Sequence, residues 1–300
     1  MAPLTPTVTM LYAEHSNHRH LLAEEPLLCA TIIMISSRWH TLPSSGMSRG
    51  YFLHEKSWKL CQRLISRLTY GQESGQLLKV RTIGSIEALL LMSEWHAREL
   101  YFPPEDDGWD LGLLDSCTDP VGRDTAAPHA ADWLQHPSEA ARRSGRMSWL
   151  LLGNALSLSH ELKIFSDCDE EDVVRRDPLW SKRKIRIRQL LYIFTNQLSS
   201  RLGCGSMLPV NLAHSLKSPA DIDHMHSNHS ARSMEAWIEL TKLLRSLCDV
   251  VFPSKTYTRQ LLEDGRYVNL LEHFRSLLKN WHEQHIETQG KYFVHFIICS

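Results

Sequence analysis

Apolar residues recur every three or four positions along most of this chain, which is the spacing of amphipathic helices. Residues 51–70 are typical, with Trp58, Cys61, Leu64 and Leu68 on one helical stripe. The same pattern predicts helices at 21–38 (interrupted by Pro26), 82–100, 145–165, 182–202 and 233–251, and one or two more within 257–284. Strand and helix patterns do not alternate along the chain. We therefore predict an all-α fold, an irregular arrangement of many helices.

Two segments interrupt the helical pattern. Residues 41–50 are rich in Pro, Ser and Gly and are predicted to form a loop. Pro103 and Pro104 end the preceding helix, and between 102 and 144 the periodicity disappears. Because a stretch of this length without a helix is uncommon inside a compact domain, we predict a long mobile insertion there. The predicted organisation is a domain at 4–285 that includes the insertion, followed by an atypical tail at 286–300.

The overall composition is that of an ordinary globular protein. The 300 residues are 43% hydrophobic and carry a formal net charge of −1. No overall field therefore attracts nucleic acid or an anionic membrane, and we do not expect this chain to be a DNA-binding domain by itself. The start of the chain does not resemble a signal peptide. The longest apolar runs, such as 31–35 and 88–92, are far shorter than the roughly 20 residues of a membrane helix. We expect a soluble, intracellular protein without a membrane partner.

The cysteines are scattered. They stand at positions 29, 61, 117, 168, 204, 248 and 299, without any C-x-x-C pair. Structural zinc sites usually take ligands from such tight pairs, so no zinc site is predicted in this chain. Single cysteines of this kind fit a reducing compartment. Gly203, beside Cys204, is predicted to cap the C-terminal end of a helix.

Seventeen histidines raise the question of a metal site. The zincin motif H-E-x-x-H fails twice, because Ile164 follows His160 and Ile286 follows His282 at the second ligand position. Two polar segments have histidines at a spacing compatible with a loop site: His15, His18 and His20, and His224, His226 and His229. Histidines in such segments are usually solvated, so we predict no bound metal. The motifs of a nucleophile elbow and of a phosphate-binding loop are also absent, and we predict no catalytic residue and no enzyme activity.

One short segment is strongly basic. It contains Lys182, Arg183, Lys184, Arg186 and Arg188. Such a run can serve nuclear import or contact phosphate. The favoured interpretation is a solvated helix face, balanced by the acidic residues at 167–172.

Several segments resemble fungal zinc-cluster transcription factors, in the middle homology region called the fungal-specific transcription factor domain. The segments that carry this resemblance are 25–29 (EPLLC), 36–43 (SSRWHTLP), 82–91 (TIGSIEALLL), 93–96 (SEWH), 102–104 (FPP), 145–149 (GRMSW), 155–161 (ALSLSHE), 190–192 (LLY) and 197–203 (QLSSRLG). They follow the family order over residues 4–285, and they are most similar to the subgroup of broad nitrogen-utilisation activators. Ala97 stands where the family tends to have proline.

The resemblance implies an all-α regulatory region of a nuclear protein that controls transcription by RNA polymerase II. Members of the family read DNA through a binuclear zinc cluster of six cysteines, normally N-terminal to this region. Because that pattern is missing here, zinc and DNA contacts are expected only in a part of the factor outside this chain. Other transcription regulators or co-activators are the expected partners, and a small-molecule effector and a homodimer are further options. The tail at 286–300 departs from the family and suggests a truncation.

Within the resembling segments, Ser93 to Arg98 is the candidate functional segment. Trp95 is amphipathic and expected to be buried, and Glu94 and Arg98 stand four apart, where they can pair on one helix face. Glu94, Trp95, His96 and Arg98 are therefore candidates to line an effector pocket. The favoured alternative is a packing and ion-pair cluster that holds the helices together.

Two other functions stay open from the sequence. The chain can be a stand-alone co-regulator or interaction protein that does not bind DNA. A helical ligand-binding protein or an enzyme with a hidden pocket is the third hypothesis.

Overall fold

The computed structural model describes residues 4–40, 46–72, 79–101, 137–166, 178–209 and 228–287. Within these ranges the chain forms ten α-helices and no strand, so the all-α prediction is confirmed. The helices are α1 (Pro6–Leu11), α2 (His18–Glu24), α3 (Pro26–Trp39), α4 (Gly46–Tyr70), α5 (Ile83–Glu94), α6 (Pro137–Glu161), α7 (Pro178–Leu202), α8 (Asn228–Val251), α9 (Lys255–Glu263) and α10 (Tyr267–His282).

Local chemistry explains where several helices begin and end. Pro26 takes the first position of α3, where its missing N–H costs nothing. The Thr82 side chain accepts a hydrogen bond from the Ser85 N–H and caps α5. Gly203 follows α7 with a φ of 64°, and the next N–H, of Cys204, donates to the Ser199 carbonyl. The predicted C-cap role of Gly203 is confirmed, since this left-handed conformation favours glycine.

Helix α5 occupies the centre of the molecule. Every residue from Ile83 to Ser93 is buried, and the helix packs against α3, α6 and α7. Its sequence is apolar almost all round, which is the pattern of a helix enclosed by others. Glu87 is the exception, a charged side chain in the middle of this buried helix.

The C-terminal helices pack more loosely. Helix α8 contacts α7 on one side and α10 on the other. Trp281 of α10 is buried and its indole N–H donates to the Ala236 carbonyl of α8 at 3.0 Å. Helix α9 buries only Leu261, which leaves most of its surface exposed.

Some boundaries differ from those predicted. Helix α6 begins at Pro137, so residues 137–144, placed in the insertion, are helical. A proline at the first position followed by residues rich in Ala, Arg and Glu favours this start. The predicted helix 82–100 ends at Glu94 and is followed by a 3₁₀ turn at Arg98–Leu100. The remaining insertion (102–136), the acidic residues 167–172 and the end of the tail (288–300) lie outside the described residues.

The described helices are short or polar for a membrane span. No single one of them is both long and apolar enough to cross a bilayer. The segment His15–Glu24 and helix α3 reach that length and composition only together, across a bend of 119°.

Candidate functional site

The predicted functional segment forms the junction between α5 and the 3₁₀ turn that follows. Glu94 is the last residue of α5, and Arg98 begins the turn, so the two do not share one helix face. The Glu94 carboxylate lies 4.0 Å from the guanidinium of Arg201 on α7. Trp95 is half-buried and packs against the main core. The helical geometry on which the predicted Glu94–Arg98 pairing depended is therefore absent.

His96 ties this junction to α6 and α3. The Ser148 hydroxyl donates to the Ser93 carbonyl at 2.7 Å, so His96 Nε2, at 2.8 Å from the same hydroxyl, is the donor to it. Arg38 of α3 donates to the His96 carbonyl at 2.7 Å. Burial lowers the pKa of His96 to about 4, and the charges of Arg201 and Arg38 act in the same direction. His96 is therefore neutral at physiological pH.

His54 holds the other end of the junction. Its Nε2 accepts the Arg98 backbone N–H at 3.0 Å, so the ring hydrogen is on Nδ1, which donates to the Met34 carbonyl at 2.8 Å. Burial is the main cause that lowers the pKa of His54. The Arg98 guanidinium stacks over the Tyr51 ring at 4.3 Å. Through these contacts the junction connects α3, α4, α5 and α6.

Glu94 has an unusual electrostatic environment. Its side chain is only 17% exposed. Burial raises the pKa of Glu94 to about 7, against the opposing charge of Arg201. The described contacts of these four residues are those of a helix junction. Their role in lining an effector pocket stays a prediction.

The basic run on α7 points largely inward. Arg183, Lys184 and Arg188 are buried, whereas Lys182 is exposed and Arg186 is half-buried. The interpretation of this run as a solvated helix face is therefore wrong for the three buried residues. It failed because the pattern of charges along one helix does not show which acceptors other helices bring to it.

Two kinds of acceptor receive these cations. Lys184 and Arg188 each donate to the Ser166 carbonyl at 2.8 Å, in the segment that follows α6. Arg186 donates to the Leu4 carbonyl at 3.1 Å. A backbone carbonyl that accepts a hydrogen bond from a buried cation offsets part of its desolvation cost. The run therefore attaches α7 to neighbouring segments.

Arg183 is enclosed by two carboxylates. It donates to both oxygens of Glu25, at 2.7 and 3.0 Å, and from Nε to Glu87 at 3.1 Å. All three side chains are at most 8% exposed. We call Arg183, Glu25 and Glu87 the buried ion cluster. The isolated charge of Glu87 in the apolar segment 83–92 was the available sequence signal for it, because a buried charge requires a partner.

The buried ion cluster includes more carboxylate than guanidinium. Burial raises the pKa of Glu87 even though Arg183 donates to it. The Tyr12 hydroxyl donates to Glu25 at 3.3 Å, and burial followed by the Glu25 charge raises the pKa of Tyr12 to about 12. At Gly84 the backbone of α5 lies close to the Glu25 side chain, and a Cβ added there would lie 2.6 Å from the Glu25 carboxyl group.

A cleft of about 1050 Å³ lies elsewhere, where α7 and α8 end and α9 begins. Arg245 and Asp249 of α8 stand in its wall, Asn196 of α7 lies beside them, and Phe252 and Leu262 add apolar surface. The sequence interpretation did not locate this cleft. Its only local signals are the helix-ending residues near 203–205 and 252–254.

The histidines of the described part of the chain do not gather into a metal site. There, no three His, Cys, Asp or Glu side chains are placed to hold a metal ion. The His15 and His18 rings meet edge to face at 4.9 Å. Of the second histidine group, 224 and 226 lie outside the described residues, as does the side chain of 229.

These features describe an all-α protein whose polar clusters join helices and whose cleft lies apart from them. The chain is similar to part of a fungal transcription factor. It is 45% identical over 301 aligned positions to Transcription factor hmgR of Aspergillus fumigatus. The alignment covers 96% of this chain and 40% of that protein, so the chain spans less than half the length of this relative. No family model and no solved structure matches the chain.

Proposed function

We propose that the chain is the regulatory region of a fungal transcription factor, in the nucleus, and that it acts through protein contacts and not through catalysis. The observation that carries this proposal is the 45% identity to a transcription factor along 96% of the chain. The resembling sequence segments add the finer assignment, which is the fungal-specific middle region of a zinc-cluster factor. In this proposal a zinc cluster outside these residues reads the DNA.

The charge distribution supports a region that does not itself bind DNA. The net charge is −1, and three of the five cations in the basic run are buried against acceptors of the same chain. Sequence-independent DNA binding needs several exposed cations facing phosphates. Of the five cations in the basic run, only Lys182 is exposed.

The proposal can be tested with a reporter in a fungal host. The chain is inserted between an unrelated DNA-binding domain and an activation domain, and reporter output is compared with the same fusion lacking it, at equal protein abundance. We expect the chain to change the output. Gly84→Ala places a methyl group against the Glu25 carboxylate of the buried ion cluster and should abolish that change in output. Gly153→Ala should preserve it. Equal output with and without the chain would count against a regulatory role.

A mobility-shift assay on the isolated chain separates DNA reading from regulation. We expect no sequence-specific shift. A tight, specific complex would contradict the assignment of DNA reading to another part of the factor. The stand-alone co-regulator remains distinguishable, because a transcript encoding six clustered cysteines in frame upstream would exclude it.

A further inference from the structure

The cleft between α7, α8 and α9 contains a cation, Arg245, whose hydrogen-bond donors are only partly satisfied by the protein. The Arg245 side chain is only 17% exposed. Within the described residues, its one hydrogen bond runs from Nη1 to Asn196 Oδ1 at 3.2 Å. A guanidinium has five N–H donors, so most of those of Arg245 lack a protein acceptor. An anion that enters the cleft and pairs with such a largely buried cation lowers the free energy of the protein.

The surrounding residues fix this guanidinium in place. Asn196 is buried, and its side-chain N–H₂ donates to the Tyr192 carbonyl at 2.7 Å, which directs Oδ1 towards Arg245. The nearest carboxylate is Asp249, 3.7 Å from Nε, which is beyond hydrogen-bonding distance. Asp249 is also 71% exposed, so water screens its charge. Arg245 is thus preorganised while its counter-charge is incomplete.

The size and lining of the cleft limit what can fill it. Its volume of about 1050 Å³ suits a small organic molecule. Phe252 is 61% exposed and Leu262 is 57% exposed, and both face this space. Lys255 adds exposed positive charge on α9, whereas Arg259, also in the lining, is paired with Glu263 at 2.9 Å. The occupant therefore needs a planar anionic group for Arg245 and an apolar body for the two hydrophobic side chains.

We propose that this cleft binds a small organic carboxylate with an apolar or aromatic body. The carboxylate pairs with the free donors of Arg245, and the body covers Phe252 and Leu262. As an effector site it rests on the proposed regulatory function, but binding itself does not. The ligand would hold the ends of α7 and α8 against α9, the helix with little packing of its own.

Fluorine NMR on the purified chain provides a direct test, with para-fluorobenzoate as probe and para-fluorobenzamide as its neutral match. We expect saturable broadening of the benzoate signal and none of the amide, with acetate competing poorly because it lacks the apolar body. Arg245→Gln should weaken benzoate binding about tenfold or more. Arg63→Gln, on the distant helix α4, should leave it unchanged.

A second variant separates binding from a structural role of Arg245. Asp249→Asn removes the competing carboxylate, so it should tighten benzoate binding, which a purely structural arginine would not predict. The site is contradicted if benzoate does not saturate, if the amide binds equally well, or if Arg245→Gln has no effect. Failure of the NMR test with a positive reporter assay rejects the site alone. Saturable binding with a silent reporter rejects the regulatory function alone.

Discussion

Arg183 Nε donates to Glu87 at 3.1 Å, although the two residues are 96 positions apart in sequence. Glu25, which is 158 positions away, receives the other end of the same guanidinium. These contacts join α5 and α7 to Glu25, the residue between α2 and α3, in the interior of the protein. Buried ions need such partners because desolvation otherwise costs several kcal/mol per charge.

Arg183→Met tests the buried ion cluster. Removing the only cation leaves two buried carboxylates facing each other, so the free energy of unfolding should fall by about 3–5 kcal/mol. Urea unfolding followed by circular dichroism measures this change. Lys59→Met, which breaks the exposed pair with Glu55, should leave the midpoint close to that of the parent.

Replacing all three members distinguishes charge from packing. The triple variant Glu25→Met, Glu87→Leu and Arg183→Met should recover most of the stability that Arg183→Met loses, because no buried charge remains. If Arg183→Met alone were as stable as the parent, the buried ion cluster would not contribute to the stability of the fold.

Gly84→Ala and Gly153→Ala form a matched pair of helical substitutions. At Gly84 the new Cβ would lie 2.6 Å from the Glu25 carboxyl group, so overpacking should cost about 1–3 kcal/mol. At Gly153 the nearest atom is the Met207 sulfur at 4.0 Å, so higher helix propensity should stabilise by about 0.5–1 kcal/mol. Thermal unfolding compares them, and changes of the same sign would contradict the proposed close approach at Gly84.

Glu94→Gln should stabilise the protein in a pH-dependent manner. The folded pKa of Glu94 is about 7, raised from 4.5, so the folded state binds the proton more tightly than the unfolded state. Stability from this group is therefore lost as the pH rises from about 4.5 to 7, by about 3 kcal/mol at most. We expect the variant to exceed the parent near pH 8 and to match it near pH 4.5 in urea unfolding. An equal difference at both pH values would contradict the buried carboxyl.

His96→Gln should reveal the opposite slope. The folded pKa of His96 is about 4, lowered from 6.5, so the unfolded state binds the proton more tightly and stability is lost as the pH falls through this range. In the parent this loss partly offsets the gain from Glu94. Without His96, stability should therefore decrease more steeply as the pH rises from about 4.5 to 6.5, with a difference of about 3 kcal/mol at most. Parallel pH profiles for parent and variant would contradict this assignment.

Much of the fold follows from local sequence. The stripe of Trp58, Cys61 and Leu64 predicts α4, and the positions of Pro26 and Gly203 mark helix ends that the structure confirms. These features depend on neighbours within one or two turns, so the chain itself contains the information. The helix predicted at 82–100 ends at Glu94 in the structure. Trp95 takes a non-helical conformation there, and the contacts of His96 and Arg98 follow it.

The site depended on contacts between distant segments. Sequence spacing placed Glu94 and Arg98 on one helix face, but the tertiary structure directs Glu94 towards Arg201 and the Arg98 N–H towards His54. In the same way, an inward or outward direction for Arg183 depends on where Glu25 and Glu87 come to lie. The sequence by itself determined a helical protein with these helix ends, because hydrogen bonding and periodicity within a helix are local. Only the tertiary structure decided which charges are desolvated and which remain in water, because burial is set by the packing of helices that are far apart in the chain.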